Sequence, residues 1–380
     1  MTTNIVFTGG GTGGHIFPGL AVADELRQLC KETGKECRIV WIGSSKGMDR
    51  SIIEKSGSVD TFYGIPTGKL RRYFSLENLV DVFKIIGGCI ASFFLLLKLR
   101  PAVVFSKGGF VSVPPCLAAG FLRIPVYTHE CDFSPGLATK LNSRVAKKVL
   151  LSYPETAAYF GQKFKGRLEV TGNPVRPIFY DTDKERGRKF LNLQEGKPVL
   201  LVLGGSSGAR QINNLVLENL DYLTEHFQVV HQTGGEKAHF DESAIPQTIS
   251  GVYKHYGFIY SEMPDVLACA DVVLSRSGAN SLWECAVLGK AMVLVPLCGS
   301  GTRGDQVENA RFFVDSGVAL SLVADEADSQ HLQEALNKML DADFRSTCSA
   351  RALELGLRNR PAKTIAVAVY KEIFSQDVSR

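Results

Sequence analysis

Asn4-Ile-Val-Phe-Thr-Gly-Gly-Gly-Thr-Gly-Gly-His-Ile-Phe-Pro18 is the stretch from which the rest of the chain is read. Its apolar run, Ile5–Thr8, has the length and character of a buried strand. Helical spacing takes over at Pro18–Leu29, and Pro18 suits a first helical turn. Between the two, glycines let the backbone approach a ligand closely, and the helix start favours a negative group. Gly9, Gly11 and Gly14 match GxGxxG in form. A dinucleotide site also wants an acidic residue ending the second strand, but that strand closes as Val40-Trp-Ile-Gly-Ser44. The Walker phosphate-loop pattern is missing too. His15 is then the feature to explain, because an imidazole titrates near neutral pH.

The same strand–turn–helix unit recurs outward from this point. Strands are predicted at Arg38–Ile42, Ala102–Phe105, Val126–Thr128 and Val149–Ser152, then at Val199–Leu203, Val229–His231, Asp271–Ser275 and Met292–Val295. Alternating βα units predict an α/β fold with parallel sheets and helices on both faces. The pattern starts afresh at Pro198. Ahead of it come the breaker-rich Thr171-Gly-Asn-Pro-Val-Arg-Pro177 and the charged, weakly periodic Asp181–Lys197. Two domains of the Rossmann-like kind are expected, 1–176 and 177–360. Their ligand is expected in a cleft facing the carboxyl ends of the strands.

Composition narrows the function. The 380 residues suffice for two domains, and 45% hydrophobic with 22% charged is ordinary for globular proteins. A net charge of +4, with no interleaved aromatic and basic residues, argues against nucleic acid as a partner. Nine cysteines, an odd number without a CxxC pair, argue against a disulfide framework or zinc site and for a reducing compartment. The chain opens directly into a strand pattern, so no signal peptide is expected. Ile85–Leu97 runs 13 residues without a charge between Lys84 and Lys98. A spanning helix needs about 20, so this segment is read as a buried helix or one that dips into a bilayer face.

Further motifs carry polar chemistry. Leu203-Gly-Gly-Ser-Ser-Gly-Ala209 repeats the glycine turn in the second half, where Ser206 and Ser207 add hydroxyl donors for an anion. Arg276-Ser-Gly278 turns between a strand and a helix starting near Ala279. Glu284 falls about two turns into that helix, where a carboxylate can accept hydrogen bonds from the vicinal hydroxyls of a ribose. Arg303-Gly-Asp-Gln-Val-Glu-Asn309 offers groups suited to sugar hydroxyls. Ser106-Lys-Gly-Gly-Phe-Val-Ser112 and Thr128-His-Glu-Cys-Asp132 follow strands in the first half, at the same edge as His15. There His129 and Glu130 either supply base chemistry or hold loops together. Asp341-Ala-Asp343 lies in a helical region, and neither a metal nor a cofactor is expected.

GGTGGHIFPGLAVADEL at Gly10–Leu26, SKGGFVS at Ser106–Ser112, THE at Thr128–Glu130, TGNPVR at Thr171–Arg176, GGSSGA at Gly204–Ala209, RSGANSLWE at Arg276–Glu284 and GDQVENA at Gly304–Ala310 occur in this order along nearly the whole chain. Together they resemble the MurG family, N-acetylglucosaminyltransferases that convert lipid I to lipid II. The resemblance implies a GT-B fold and inverting transfer from UDP-GlcNAc to the N-acetylmuramoyl 4-hydroxyl of undecaprenyl-diphospho-muramoyl-pentapeptide. It implies a donor half in which Glu284 holds the uridine ribose. Ser206, Ser207 and Arg176 would face the diphosphate, and Ile259 and Met263 the uracil. Ala279, Asn280 and Ser281 would line the donor site, with Gln306 and Asn309 on the GlcNAc. Thr12, Gly13, Gly14 and Asp132 would face the acceptor. His15 is the candidate base, with Glu130 or His129 as rivals. The segment 361–380 would pack back on the first domain. Many family members have HEQN where this chain has His129-Glu-Cys-Asp132, and tyrosine where Phe110 stands.

A lipid acceptor gives membrane docking a purpose. Phe74, Leu76, Val82, Ile85, Ile86 and Phe93–Leu97, flanked by Lys69, Arg71, Arg72, Lys84, Lys98 and Arg100, pair apolar surface with positive charge. That is the pattern of a peripheral protein on anionic lipid, here the cytoplasmic face of a bacterial plasma membrane. Further cell-wall synthesis proteins are partners that the resemblance implies. Three other readings compete: a GT-B enzyme acting on diacylglycerol, a nicotinamide-dependent oxidoreductase resting on Gly9–Gly14, and a non-catalytic sugar-nucleotide sensor.

Overall fold

The computed structural model describes residues 2–68, 76–204, 209–235, 240–299, 302–357 and 360–374. Ser206, Ser207, Lys69, Arg71, Arg72 and Phe74 lie outside the described residues, as does the side chain of Leu76. The chain divides into two compact units, Met1–Arg176 with Asn359–Arg380, and Pro177–Arg358.

Unit 1 contains strands β1 (Thr3–Thr8), β2 (Cys37–Ser44), β3 (Thr61–Ile65), β4 (Val103–Ser106), β5 (Val126–Glu130), β6 (Lys148–Leu151) and β7 (Leu168–Val170). Its helices are α1 (Gly13–Glu32), α2 (Asp49–Ser56), α3 (Leu76–Leu99), α4 (Val113–Phe121) and α5 (Leu137–Asn142). Unit 2 contains β8 (Val199–Leu203), β9 (Gln228–Gln232), β10 (Tyr253–Tyr256), β11 (Val272–Ser275), β12 (Ala291–Leu294) and β13 (Ala319–Ser321). Its helices are α6 (Lys184–Leu191), α7 (Arg210–Glu218), α8 (Leu220–His226), α9 (Met263–Cys269), α10 (Ala279–Val287), α11 (Asp305–Asp315), α12 (Ser329–Leu340) and α13 (Ala342–Leu357). The last helix, α14 (Pro361–Phe374), belongs to unit 1.

Both sheets are parallel. The first has the order β3-β2-β1-β4-β5-β6-β7 and the second β10-β9-β8-β11-β12-β13. In each, successive strands run one way from the centre and then the other. The direction switches between β1 and β4, and again between β8 and β11. At such a switch the two outgoing loops part and leave a crevice at the strand carboxyl ends.

The central strands are buried on both faces, so they read as unbroken apolar runs. One face of the first sheet, with Phe7, Trp41 and Phe105, is covered by Ile16, Leu20 and Leu26 of α1 and by Ile365 and Val369 of α14. Trp41 alone removes about 200 Å² from water, an upper bound of about 5 kcal/mol. Glu372 fastens α14 further, accepting from Tyr127 Oη at 3.0 Å and Lys147 Nζ at 2.7 Å. The sequence places Pro18 in a first turn, but α1 begins five residues earlier, with Pro18 inside it. Pro18 lacks the N–H that would bond to the carbonyl four residues back, and the packing of α1 on the sheet outweighs that loss.

Helix α3 is longer than the uncharged run of 13 residues that marks it. By length and composition alone, Asp81–Leu99 could cross a membrane. One face, with Leu96 and Leu99, packs into the core under β2, β4 and α4. The opposite face exposes Phe83 (67%), Ile86, Ile90, Phe94 (64%) and Leu97, and Phe121 at the end of α4 is also exposed.

Candidate active site

In unit 1 the turn after β1 meets the turn after β4 at the switch point. Trp41 donates its indole N–H to Gly9 O at 3.0 Å. Asp49, buried in the first turn of α2, accepts the Gly11 N–H at 2.9 Å and the Ser44 N–H at 2.9 Å. A Cβ at Gly10 would overlap the Asp49 carboxylate, which fixes glycine there. Thr12 caps α1 without a side-chain bond, and Gly13, Gly14 and His15 form its first turn. The His15 ring stands close to the second turn. A Cβ at Gly109, whose φ is +75°, would stand 2.7 Å from His15 Cδ2 and 2.8 Å from Gly10 O. Ser106 Oγ holds that second turn, accepting from Gly108 N and Asn142 Nδ2, both at 3.1 Å.

The sequence expectation that the first glycine turn offers its amides to an anion needs correction at Gly11. Its N–H is already bonded to a buried carboxylate, and a second negative charge nearby is disfavoured.

The two rival bases have structural work. His129 is fully buried, and its Nε2 pairs with Gly172 O at 2.9 Å. Burial, aided by the charge of Lys107, holds its pKa well below the usual value. It is a neutral core residue with no ring atom accessible to a hydroxyl. Lys107, also buried, has no hydrogen-bond partner for its Nζ among the described residues. Glu130 is buried as well. Its Oε1 accepts from Asp132 N at 3.1 Å and its Oε2 from Gly136 N at 2.9 Å, so it shapes the loop that carries Asp132. Glu130, Cys131 and Asp132 place one ligand atom each within 4.8 Å of one another. The Glu130 oxygens are spent on backbone amides, so these residues make a poor metal site. Arg176 lies with its guanidinium 5.0 Å from the centre of the Phe17 ring, on the first turns of α1.

In unit 2 the expected donor residues follow carboxyl ends of strands of the one parallel sheet. Ile259 and Met263 come after β10, Ala279, Asn280, Ser281 and Glu284 sit on α10 after β11, and Gln306 and Asn309 sit on α11 after β12. Ile259 is buried, its N–H held by Gln232 Oε1 at 2.9 Å. Glu284 is half-buried. Gln306 Oε1 accepts from Leu297 N at 2.9 Å. Asn309 was expected on the sugar, but it is fully buried and donates to Ser277 O at 3.2 Å. It therefore supports the turn after β11 from beneath. Arg276, whose charge the sequence reading left without a role, bonds through Nη1 to Gln211 Oε1 and Val295 O, both at 2.9 Å. Behind the turns lies a neutral relay. His231 pairs with Tyr253 Oη at 2.8 Å and Asn213 Oδ1 at 3.1 Å, and Asn213 donates to Thr233 O at 3.0 Å.

Asp49, Gln232 and His231 were not foreseen as site residues. An acidic residue opening α2 and polar residues ending the apolar run of β9 were the signals available.

The sequence matches the glycosyltransferase family 28 N-terminal domain over residues 5–151 and the glycosyltransferase family 28 C-terminal domain over residues 199–356. A relative from Treponema denticola is 54% identical, spanning 85% of this chain and 84% of its own length. One from Treponema pallidum subsp. pallidum is 47% identical, spanning 91% and 88%. Both are named UDP-N-acetylglucosamine–N-acetylmuramyl-(pentapeptide) pyrophosphoryl-undecaprenol N-acetylglucosamine transferase. The crystal structure of Acinetobacter baumannii MurG matches with a TM-score of 0.72 and 26% identity, covering 97% of this chain and 99% of that one. Agreement of this extent in sequence and in both folds places the chain in glycosyltransferase family 28, as a member of its MurG group.

Proposed function

We propose that this chain moves GlcNAc from UDP-GlcNAc to the MurNAc 4-hydroxyl of undecaprenyl-diphospho-MurNAc-pentapeptide, with inversion at the anomeric carbon. The observation that carries this reading is its 54% identity, over most of its length, to an enzyme named for that transfer. Unit 2 takes the donor. Glu284 holds the ribose, the backbone at Ile259 and Met263 meets the uracil, and Ala279, Asn280 and Ser281 with Ser206 and Ser207 meet the diphosphate. Gln306 is the GlcNAc contact, and Asn309 keeps the Ser277 turn in place. Unit 1 takes the acceptor at Thr12–Gly14 and Asp132, with Arg176 supplying positive charge.

The acceptor hydroxyl attacks the anomeric carbon, the carbon–oxygen bond to UDP breaks, and His15 accepts the hydroxyl proton. His129 is sealed in the core and Glu130 accepts two backbone amides, whereas His15 stands partly exposed in the first turn of α1, beside the glycine turn. The exposed apolar face of α3, with Lys98 and Arg100 exposed at its end, supports peripheral docking on the cytoplasmic leaflet, where a lipid-linked acceptor resides. Lys84 contributes less than the sequence implied, because it is paired with Asp81 at 2.7 Å.

One assay tests this function. UDP release is followed with UDP-GlcNAc and either a soluble lipid I analogue, the same acceptor in anionic vesicles, or diacylglycerol. Wild-type protein is expected to release UDP with the first two and not the third. His15→Ala is expected to keep UDP-GlcNAc binding while turnover falls about 100- to 10,000-fold, the usual size of an acid–base contribution. Phe83→Asp with Phe94→Asp is expected to slow only the vesicle reaction. Release with diacylglycerol alone would overturn the acceptor assignment, near-normal turnover in His15→Ala would remove the base, and equal loss on both lipid I substrates would remove the docking face.

A further inference from the structure

The turn after β4 carries two successive glycines in the left-handed region, Gly108 at φ +86° and Gly109 at φ +75°. The His15 ring stands against this pair. A Cβ at Gly109 would lie 2.7 Å from His15 Cδ2, and one at Gly108 would lie 3.9 Å from His15 Nδ1. Left-handed backbone and close approach both call for glycine, which is also the residue with the most backbone freedom to lose. The wall behind the imidazole therefore has to be fixed by something other than its own side chains. A buried polar network reaching in from α5 does this. Ser106, Ser112 and Asn142 are all fully buried. Asn142 Nδ2 donates to Ser106 Oγ at 3.1 Å and to Ser112 Oγ at 2.8 Å, so one amide group spans the two ends of the turn. Within that span Ser106 Oγ accepts the Gly108 N–H at 3.1 Å, and Ser112 Oγ donates to Gly109 O at 2.8 Å. Each glycine is held by one serine, and both serines by Asn142. Ser112 gives its proton to Gly109 O, so it meets Asn142 as an acceptor, and the amide must turn its NH2 group toward the turn. Asn142 is itself placed by its carbonyl, which accepts from Val145 N at 3.1 Å and Ala146 N at 3.0 Å.

We propose that Asn142 is a positioning residue for the transfer: through Ser106 and Ser112 it fixes the Gly108–Gly109 wall, and with it the aim of the His15 imidazole at the acceptor hydroxyl. The inference rests on the reading of His15 as the base. Without the amide, two buried serine oxygens lose their common donor and the two glycines regain their freedom. A catalytic group displaced by about 1 Å costs up to about 100-fold in rate, even when the cause lies away from the chemistry. Asn142 acts at one remove, so its removal lowers the rate of the bound complex and leaves the donor site in unit 2 as it was.

The test measures kcat and the KM for UDP-GlcNAc in the full-length protein, with a soluble lipid I analogue as acceptor. Asn142→Leu removes both donors. Ser112→Ala is the milder variant, which frees Gly109 O and leaves the bond from Asn142 to Ser106. Each is made alone and in a His15→Ala background. Asn142→Leu is expected to lower kcat about 10- to 100-fold and Ser112→Ala by less, with KM for UDP-GlcNAc unchanged. In the His15→Ala background neither substitution is expected to lower kcat further, because both act through the imidazole. A merely structural role would not produce that non-additivity. The same loss with and without His15 would overturn the proposal, as would wild-type kcat in folded Asn142→Leu. Should Asn142→Leu fail to fold, Ser112→Ala in the two backgrounds decides by the same criteria. Normal turnover in His15→Ala alone would remove the base and this inference with it, whereas a strong loss there beside a normal kcat in Asn142→Leu would remove only the inference.

Discussion

β1 and β8 occupy the same place in their sheets, yet the groups at their carboxyl ends are opposite in sign. The turn after β1 is tied down by an anion, the buried carboxylate of Asp49, which takes the Gly11 N–H. Beside the end of β8 stands a cation, Arg276, whose backbone N–H reaches Leu203 O and whose guanidinium bridges Gln211 and Val295. Among the described residues of unit 2, Gln232, Asn213, His231 and Asn309 add neutral hydrogen bonds to neighbouring loops. A site for a nucleoside diphosphate gains from positive potential and loses from a buried carboxylate. Under the proposed function, the turn after β1 presents an imidazole to an alcohol and can accept that carboxylate as an anchor, while the end of β8 faces the donor diphosphate.

Removing the anchor is the strongest way to break the comparison. Asp49→Ala leaves two amides, Gly11 and Ser44, without their charged acceptor in a buried place. Hydrogen bonds to charged groups are worth about 1.5–3 kcal/mol each, so unit 1 is expected to lose about 3–6 kcal/mol. Trp41 and Trp283 lie one in each unit. In a Trp283→Phe background, urea unfolding followed by Trp41 fluorescence reads the loss where it occurs. An unchanged midpoint would mean that the turn holds its shape without Asp49.

Next in size is a pH effect in the neutral relay. Burial chiefly, and then the charge of His255, lowers His231 from 6.5 to about 3. The unfolded chain takes a proton near pH 6.5 that the folded protein refuses. Between those values the unfolded state binds more protons, and stability falls as pH drops through the window. By pH 5 the loss from this residue is about 2 kcal/mol. His129 carries the same sign in unit 1. Unfolding followed by Trp283 fluorescence at pH 7 and pH 5, in a Trp41→Phe background, is expected to show this slope in the His231 protein and a shallower one in His231→Gln. Equal slopes would mean that the ring is charged in the fold.

Burial decided how far the sequence could be read. All nine interior strands are legible as apolar runs. The four that were not foreseen, β3, β7, β10 and β13, are the two edges of each sheet. An edge strand is covered incompletely, so its residues need not be apolar: Leu168-Glu-Val170 and Tyr253-Lys-His-Tyr256 are short and hold a charged residue within them, which leaves no apolar run to read. The glycine turns were legible from their composition, and in unit 1 close approach leaves only glycine at Gly10 and Gly109. Their anchors were not. Asp49 lies 38 residues from the amide it holds, and no local pattern records a pairing made by the fold. The same limit kept His129 and Glu130 open as bases. A histidine and a glutamate ending a strand look alike whether they face substrate or fasten a loop.

The mildest substitution sharpens the contrast between the anchors. Gln232→Ala removes one neutral acceptor from the Ile259 N–H, and a neutral hydrogen bond is worth about 1 kcal/mol. In a unit of this size that corresponds to about 2–4 °C in Tm, against a far larger drop for Asp49→Ala. Because Ile259 is a proposed uracil neighbour, UDP-GlcNAc binding measured by calorimetry is expected to weaken a few-fold, with turnover at saturation little changed. A small loss of stability with unaltered affinity would place Gln232 in the scaffold alone. A loss as large as that of Asp49→Ala would show that charge on the anchor is not what distinguishes the two turns.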